Sequence, residues 1–250
     1  CETEPMAAFW RTLVPFVIGV RPTPGLPPPS RPVRDGGAAP VVSCLGFANR
    51  AKGYRLLPGA LPRVLARHAG VRFLVHGIVT GSDAPDDGPL FDDLARLDDR
   101  VAVHREVLDA AAYLDLLAST DLLLLPYDPV VYGRRGSGIF AEARRLGIPV
   151  IAPRACAFAR PAFDEGWGVA MEGHDPDGLA DAILAALARR EILSRRAAGV
   201  AAAAADDIDA LLHGALAGLP LPGPGRLARL HALWRDIARV PRPSPARPRL

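Results

Sequence analysis

Cysteine is scarce in this sequence, where Cys1, Cys44 and Cys156 are three of 250 residues. Their spacing fits neither a disulfide framework nor a metal site. Cys44 lies within an apolar strand pattern, where a buried free thiol is expected. A protein of this kind fits a reducing compartment, and we expect it to be cytoplasmic.

A membrane-spanning run is missing as well. The apolar run Leu13–Val20 falls short of the roughly 20 residues that a transmembrane helix needs. No small-residue cleavage site follows it, as a signal peptide would require. The chain starts with Cys1 rather than Met, and we therefore expect that a preceding part of the protein is absent.

The sequence also lacks the patterns of several ligand-binding classes. Its net charge of +3 comes without clustered basic residues and interleaved aromatics, which argues against nucleic acid and suits a small anionic ligand. The Gly-x-Gly-x-x-Gly fingerprint of NAD-binding proteins is absent after the first predicted strand. No Asp-x-Asp motif follows a strand, so we expect no metal site.

What is present is a regular alternation of apolar strands and helices. Strands are predicted at 41–47, 71–77, 100–105, 121–127, 148–153 and 167–172. Helices are predicted at 53–68, 89–97, 109–120, 137–146 and 176–190, with helical sequence continuing to about 217 and a turn at 83–87. The strands are continuous apolar runs, typical of a parallel sheet covered on both faces. The pattern predicts a doubly wound α/β domain, Rossmann-like, over residues 41–217.

Two Pro-rich segments flank this domain. Residues 1–40 read as a strand followed by a Pro/Gly-rich linker, and residues 218–250 as a second linker, an amphipathic helix at 226–239 and a disordered tail.

The stretch "RRGSG" at 134–138 lies at the start of a predicted helix. A helix start offers about four unpaired N–H groups and roughly half a positive charge. Ser137 is also a good N-cap, which alone explains its presence. Gly138 weakens the first turn unless a ligand approaches the backbone closely. Together with Arg135, these residues predict a phosphate site.

Two further side chains fit such a site. Lys52 follows the first strand, where a point charge suits a diphosphate oxygen. The alternative is a solvated lysine at a helix start, which is less favourable beside the positive end of the helix dipole. Arg50 is a weaker candidate for the same role. Glu142, in the second turn of the helix, could accept hydrogen bonds from the vicinal hydroxyls of a ribose or pair with Arg145 on the surface.

Several segments around these residues resemble a known protein family. The segments "FLVHG", "YLDLLASTDLLLLPY", "RGSGIFAEARRLGIPV" and "GIPVIAP" resemble the C-terminal, donor-binding half of a GT-B glycosyltransferase. The nearest group is the retaining glycosyltransferases of group 1 (family 4), which includes many bacterial transferases for cell-surface polysaccharides. The resemblance covers about residues 41–190.

The resemblance implies a role for each candidate. Arg50, Lys52, Arg135, Ser137 and Gly138 would bind the donor diphosphate. Glu142 would bind the ribose, and Val107 and Leu108 would line the base site. No cofactor is implied beyond the nucleotide-diphosphate sugar that serves as donor substrate, and the catalytic residues stay unknown.

Two departures from the family pattern bear on activity. Arg134 stands where members of the group usually have a second glutamate near the donor sugar. The N-terminal, acceptor-binding half does not fit into 250 residues beside the donor half.

We therefore expect a glycosyltransferase that is incomplete in this chain. Its partners would be a nucleotide sugar, a sugar or lipid-linked acceptor and the missing N-terminal domain, and the full enzyme could associate peripherally with a membrane. The alternative is a non-catalytic nucleotide-binding or protein-interaction module derived from this fold. The sequence leaves the base, sugar, acceptor and stereochemical outcome open.

Overall fold

The computed structural model describes residues 38–79 and 84–217, together with Met6 and Ala8. The chain divides into two compact units, the first ending at Ala205; of the second, residues 206–217 are described, and they are helical. The predicted linker lies almost wholly outside the described residues. The predicted helix at 226–239 and the tail after it lie outside them too.

A six-stranded, all-parallel sheet forms the centre of the first unit. Its strands are β1 (Val41–Ala48), β2 (Arg72–Val79), β3 (Val101–His104), β4 (Leu122–Leu124), β5 (Val150–Pro153) and β6 (Gly168–Met171). Their order across the sheet is β3-β2-β1-β4-β5-β6. The direction of winding reverses between β1 and β4, so the predicted doubly wound parallel fold is confirmed.

Helices cover both faces of the sheet. Within the described residues they are α1 (Leu57–Arg67), α2 (Ala84–Leu97), α3 (Ala110–Ala118), α4 (Pro129–Tyr132), α5 (Gly138–Leu146), α6 (Arg160–Asp164), α7 (Pro176–Ala188) and α8 (Arg190–Ala217). Several begin behind a side chain that caps free N–H groups, as Asp109 caps α3 and Asp175 caps α7.

The core consists of two clusters, one on each face of the sheet. Alternate residues of a strand point to opposite faces, so Cys44 belongs to the cluster formed with α1, α2 and α7, and Leu45 to the cluster formed with α3, α5 and α6. Both faces of the central strands are therefore buried, which explains their continuous apolar runs.

The predicted turn at 83–87 is wrong for most of its length. The structure starts α2 at Ala84, whereas the prediction started this helix at Pro89. Proline is common in a first helical turn and was a natural start signal, but Pro89 lies inside α2.

Candidate functional site

The candidate site lies at the carboxyl edge of the sheet, between β1 and β4. The chain leaves β1 into a 3-10 turn, Arg50–Lys52, and leaves β4 through Pro126 and Tyr127. Because β1 and β4 are neighbours at which the winding reverses, the two connections diverge and leave a crevice, the usual ligand position in this architecture.

The two connections are held against each other by backbone contacts. The N–H of Asp128 donates a hydrogen bond to the Ala51 carbonyl at 2.8 Å. Gly53 has a φ of +72°, and a Cβ there would lie 1.8 Å from the Pro126 carbonyl oxygen. A side chain at position 53 is therefore excluded both by backbone conformation and by space.

Lys52 extends from this turn into the crevice. Its ammonium lies 5.5 Å from the centroid of the Tyr127 ring, within range of a cation–π interaction. Burial lowers the pKa of Lys52 below its ordinary value, and Cys44 and Glu142 oppose that shift. Among the described residues Lys52 has no ion pair. Lys52 is thus partly buried rather than fully solvated.

Gly46, near the end of β1, makes room for this lysine. Its φ is +119°, and a Cβ at position 46 would come within 3.2 Å of Lys52 Nζ. The glycine lets the ammonium lie over the strand end.

The start of α5 faces the same edge. Ser137 caps the helix, its hydroxyl accepting a hydrogen bond from the Phe140 N–H at 3.3 Å. Gly138 is exposed, and a Cβ there would meet nothing within 4 Å. Sterically, therefore, position 138 does not require glycine in the free protein, but its open surroundings leave the first-turn N–H groups accessible.

Glu142 lies one turn into α5 and is half-buried. Its Oε2 accepts a hydrogen bond from the Tyr113 hydroxyl at 2.7 Å, so its partner among the described residues is Tyr113 rather than Arg145. Tyr113 belongs to α3, and this bond connects α3 to α5.

The other predicted residues are more peripheral. Arg50 and Arg135 are exposed at the rim, as is Arg134. Val107 is 80% exposed and Leu108 half-buried, both on the connection between β3 and α3. They lie at the same edge of the sheet as Lys52 because all the strands are parallel.

The sequence analysis assigned no tyrosine to the candidate site. The sequence contains four, at positions 54, 113, 127 and 132, and all lie on segments that follow β1, β3 or β4. The Tyr54 hydroxyl donates a hydrogen bond to the His76 carbonyl at 2.9 Å, and the rings of Tyr127 and Tyr132 are 4.5 Å apart. The one available signal was Tyr127 directly after the β4 apolar run.

The described residues lack two other features that would bear on function. They contain no cluster of three or more His, Cys, Asp or Glu side chains suited to a metal ion. None of their helices combines the length and apolar character needed to cross a bilayer.

Comparison with known proteins gives consistent matches. Residues 39–189, more than half of the chain, match the family described as Glycosyl transferases group 1. A curated relative, a D-inositol 3-phosphate glycosyltransferase from Xylanimonas cellulosilytica, is 33% identical over 105 residues. That alignment covers 42% of this chain and 24% of the relative, so the chain spans about a quarter of the relative's length.

Solved structures share the fold. The C-terminal domain of the group 1 family glycosyl transferase LpcC from Francisella tularensis matches with a TM-score of 0.54 at 16% identity, over 66% of this chain and 83% of that one. Anabaena HepE in complex with UDP matches with a TM-score of 0.55 at 20% identity, over 72% of this chain and 49% of that one. The sheet described above is thus the fold of a GT-B C-terminal domain.

Proposed function

Because the chain belongs to the group 1 glycosyltransferases, we propose that it is the donor-binding half of such an enzyme and binds a nucleotide-diphosphate sugar at the β1/β4 crevice. The complete enzyme would transfer the sugar to an acceptor hydroxyl held by a separate, N-terminal half. A sugar or lipid-linked acceptor of cell-surface polysaccharide synthesis fits this proposal.

The observation that carries the proposal is the environment of Lys52. The half-buried ammonium has no ion pair among the described residues, and the charge of Glu142 offsets only part of its lost hydration, because burial has the larger effect on its pKa. An anion in the crevice would supply a counter-charge, and the start of α5 would add N–H groups and a favourable dipole. A diphosphate between Lys52 and the Ser137–Gly138 backbone would give the ammonium a counter-charge and the N–H groups an acceptor. Arg50 and Arg135 would add positive charge at the rim.

The remaining residues suit the nucleoside. One oxygen of Glu142 is occupied by Tyr113, which leaves the other free to accept from a ribose hydroxyl. Val107 presents apolar surface on the β3 connection, where a base could pack with Leu108.

In this mechanism the chain assists departure of the diphosphate. The bond between the anomeric carbon and the diphosphate oxygen breaks, and its electron pair leaves with the nucleoside diphosphate. The acceptor hydroxyl forms the new bond and releases its proton. Lys52 and the α5 N–H groups would stabilise the charge that develops on the leaving oxygen, the work that a metal ion performs in other transferases.

A second candidate function follows from the exposed apolar side chains at this edge. Phe47 is 59% exposed at the end of β1 and Val130 is 93% exposed on α4. A non-catalytic binding module would use these side chains for contact with a partner protein. Transfer activity in the longer protein that contains this chain separates the two functions.

Donor binding itself is tested by a thermal-shift panel of UDP-, GDP- and ADP-sugars with NAD as the negative ligand. We expect one nucleotide sugar to stabilise the chain and NAD to have no effect. Lys52→Ala should weaken binding by about 1.5–3 kcal/mol, the range for hydrogen bonds to charged groups.

The matched control is Arg67→Ala, which removes one positive charge from an exposed side chain at the far end of α1. It should leave binding unchanged. Equal losses in the two variants would mean that net charge rather than the crevice holds the ligand, and stabilisation by NAD alone would refute the proposed function.

A further inference from the structure

The hydrogen bond from the Tyr113 hydroxyl to Glu142 restrains the Glu142 carboxylate. At 2.7 Å it falls within the short range of O–H···O⁻ bonds, which are about twice as strong as neutral ones. It joins residues 29 positions apart on two different helices. The bond therefore restrains a long side chain that would otherwise sample several rotamers.

The Tyr113 hydroxyl is the donor in this hydrogen bond, because it keeps its proton. Burial raises the pKa of Tyr113, and the hydrogen bond to Glu142 raises it further. Tyr113 thus stays protonated throughout the physiological pH range and keeps a hydroxyl that donates to Glu142.

The acceptor positions that remain on Glu142 define what it can bind. A carboxylate has about four lone-pair positions, and Tyr113 occupies one of them on Oε2. Oε1 is left with both of its positions. A carboxylate held in this way suits a ligand that donates two hydrogen bonds from neighbouring hydroxyls, as the 2′ and 3′ hydroxyls of a ribose do.

We propose that Tyr113 is a positioning residue, which holds the Glu142 carboxylate ready for the ribose diol and so makes the site select ribonucleotides over 2′-deoxyribonucleotides. This inference rests on the proposed function, since it takes the crevice to be a nucleotide site. Ordering the carboxylate before the ligand arrives removes the loss of rotamer entropy that binding would otherwise include.

The test is a set of binding isotherms on the 250-residue chain with UDP, 2′-deoxy-UDP and pyrophosphate, for the natural sequence and for Tyr113→Phe. If GDP or ADP binds more tightly than UDP, that nucleotide and its 2′-deoxy form replace the uridine pair. We expect Tyr113→Phe to weaken ribonucleotide binding by about 5- to 20-fold. Binding of the 2′-deoxy form and of pyrophosphate should change by less than about two-fold, so the ribo-to-deoxy preference should largely disappear.

Tyr132→Phe is the matched control, because it removes a phenol hydroxyl at the same edge without touching Glu142. It should retain the preference. Glu142→Asp provides a second test, because it keeps the carboxylate but withdraws it from Tyr113, and it should lose the preference as well. In a Glu142→Ala background, Tyr113→Phe should have no additional effect on the ribonucleotide.

Two results would overturn the inference. If Tyr113→Phe lowers affinity for all three ligands equally, or leaves the ribo-to-deoxy ratio intact, Tyr113 only supports the packing of α3. If the natural chain binds none of the nucleoside diphosphates, the proposed function fails and the inference fails with it. The two failures are distinguished by the natural chain's own isotherms.

Discussion

Gly53 and Pro126 are in such close contact that no Cβ fits between them. The carbonyl oxygen of Pro126 lies 1.8 Å from the position that a Gly53 Cβ would take, and the same oxygen accepts a hydrogen bond from His174 Nε2 at 3.0 Å. The loop that carries Lys52 is thereby fixed to the end of β4. The crevice geometry depends on this contact.

Gly53→Ala should therefore destabilise the protein. A non-glycine residue at φ +72° is strained by about 1–3 kcal/mol, and relief of the clash with Pro126 would move the Lys52 turn. Urea unfolding measures the loss. Gly70→Ala is the control, because a Cβ there meets nothing within 4 Å, and it should change stability by less than about 0.5 kcal/mol. Equal stabilities for the two variants would contradict the described contact.

Nucleotide affinity should fall as the pH rises through the pKa that Lys52 has in the free protein. Burial depresses the pKa of Lys52 in the free protein, whereas a bound diphosphate stabilises the ammonium. Between the pKa values of the free and the bound protein, binding must therefore take up a proton, and affinity decreases with pH in that window. Calorimetry in buffers of different ionisation enthalpy measures this uptake.

Lys52→Arg provides the comparison for this pH dependence. A guanidinium stays charged throughout the range, so the variant should lack the part of the proton uptake that belongs to Lys52. The ligand's own titration is common to both proteins and cancels. The same uptake in both would mean that Lys52 is not the titrating group.

Glu142→Gln should weaken ribonucleotide binding more than pyrophosphate binding. The substitution keeps the shape of the side chain but removes the charge that makes it a strong acceptor. We expect a loss of about 1.5–3 kcal/mol for the nucleotide and a change of less than about 0.5 kcal/mol for pyrophosphate. Glu191→Gln, on the exposed first turn of α8, is the control and should leave both ligands unaffected. Equal losses for both ligands would assign Glu142 a purely structural role.

The thiols of Cys44 and Cys156 should resist alkylation in the folded protein. Burial raises the pKa of each to about 12, so almost no thiolate exists near pH 8. Iodoacetamide labelling followed by peptide mass spectrometry separates these sites from Cys1. Both should react readily once guanidinium unfolds the chain, and rapid labelling of the native protein would disagree with their burial.

The sheet was predictable because its signal is local. Each strand is a continuous apolar run, and each run is separated from the next by a helical segment, so strand type and parallel order follow together. Ser137 and Gly147 likewise define the two ends of α5 by short-range chemistry, and the structure has the helix at Gly138–Leu146.

The contacts within the site were much less predictable. Tyr113 and Glu142 meet because two helices pack side by side, and no spacing along the chain encodes that meeting. The cation–π partner of Lys52 was missed for the same reason. The short helix α4 was not predicted, although an aspartate before a proline, as at Asp128 and Pro129, suits a helix start.

The place of Lys52 in the crevice has a practical consequence for chemistry on this protein. It is the only lysine in the sequence, so a reagent that modifies ε-amines has a single target, and that target is in the candidate site. The depressed pKa leaves a larger share of its amine uncharged and nucleophilic than in an ordinary lysine. Lys52 can therefore report ligand binding, because the rate at which its amine is acylated should depend on whether the crevice is occupied.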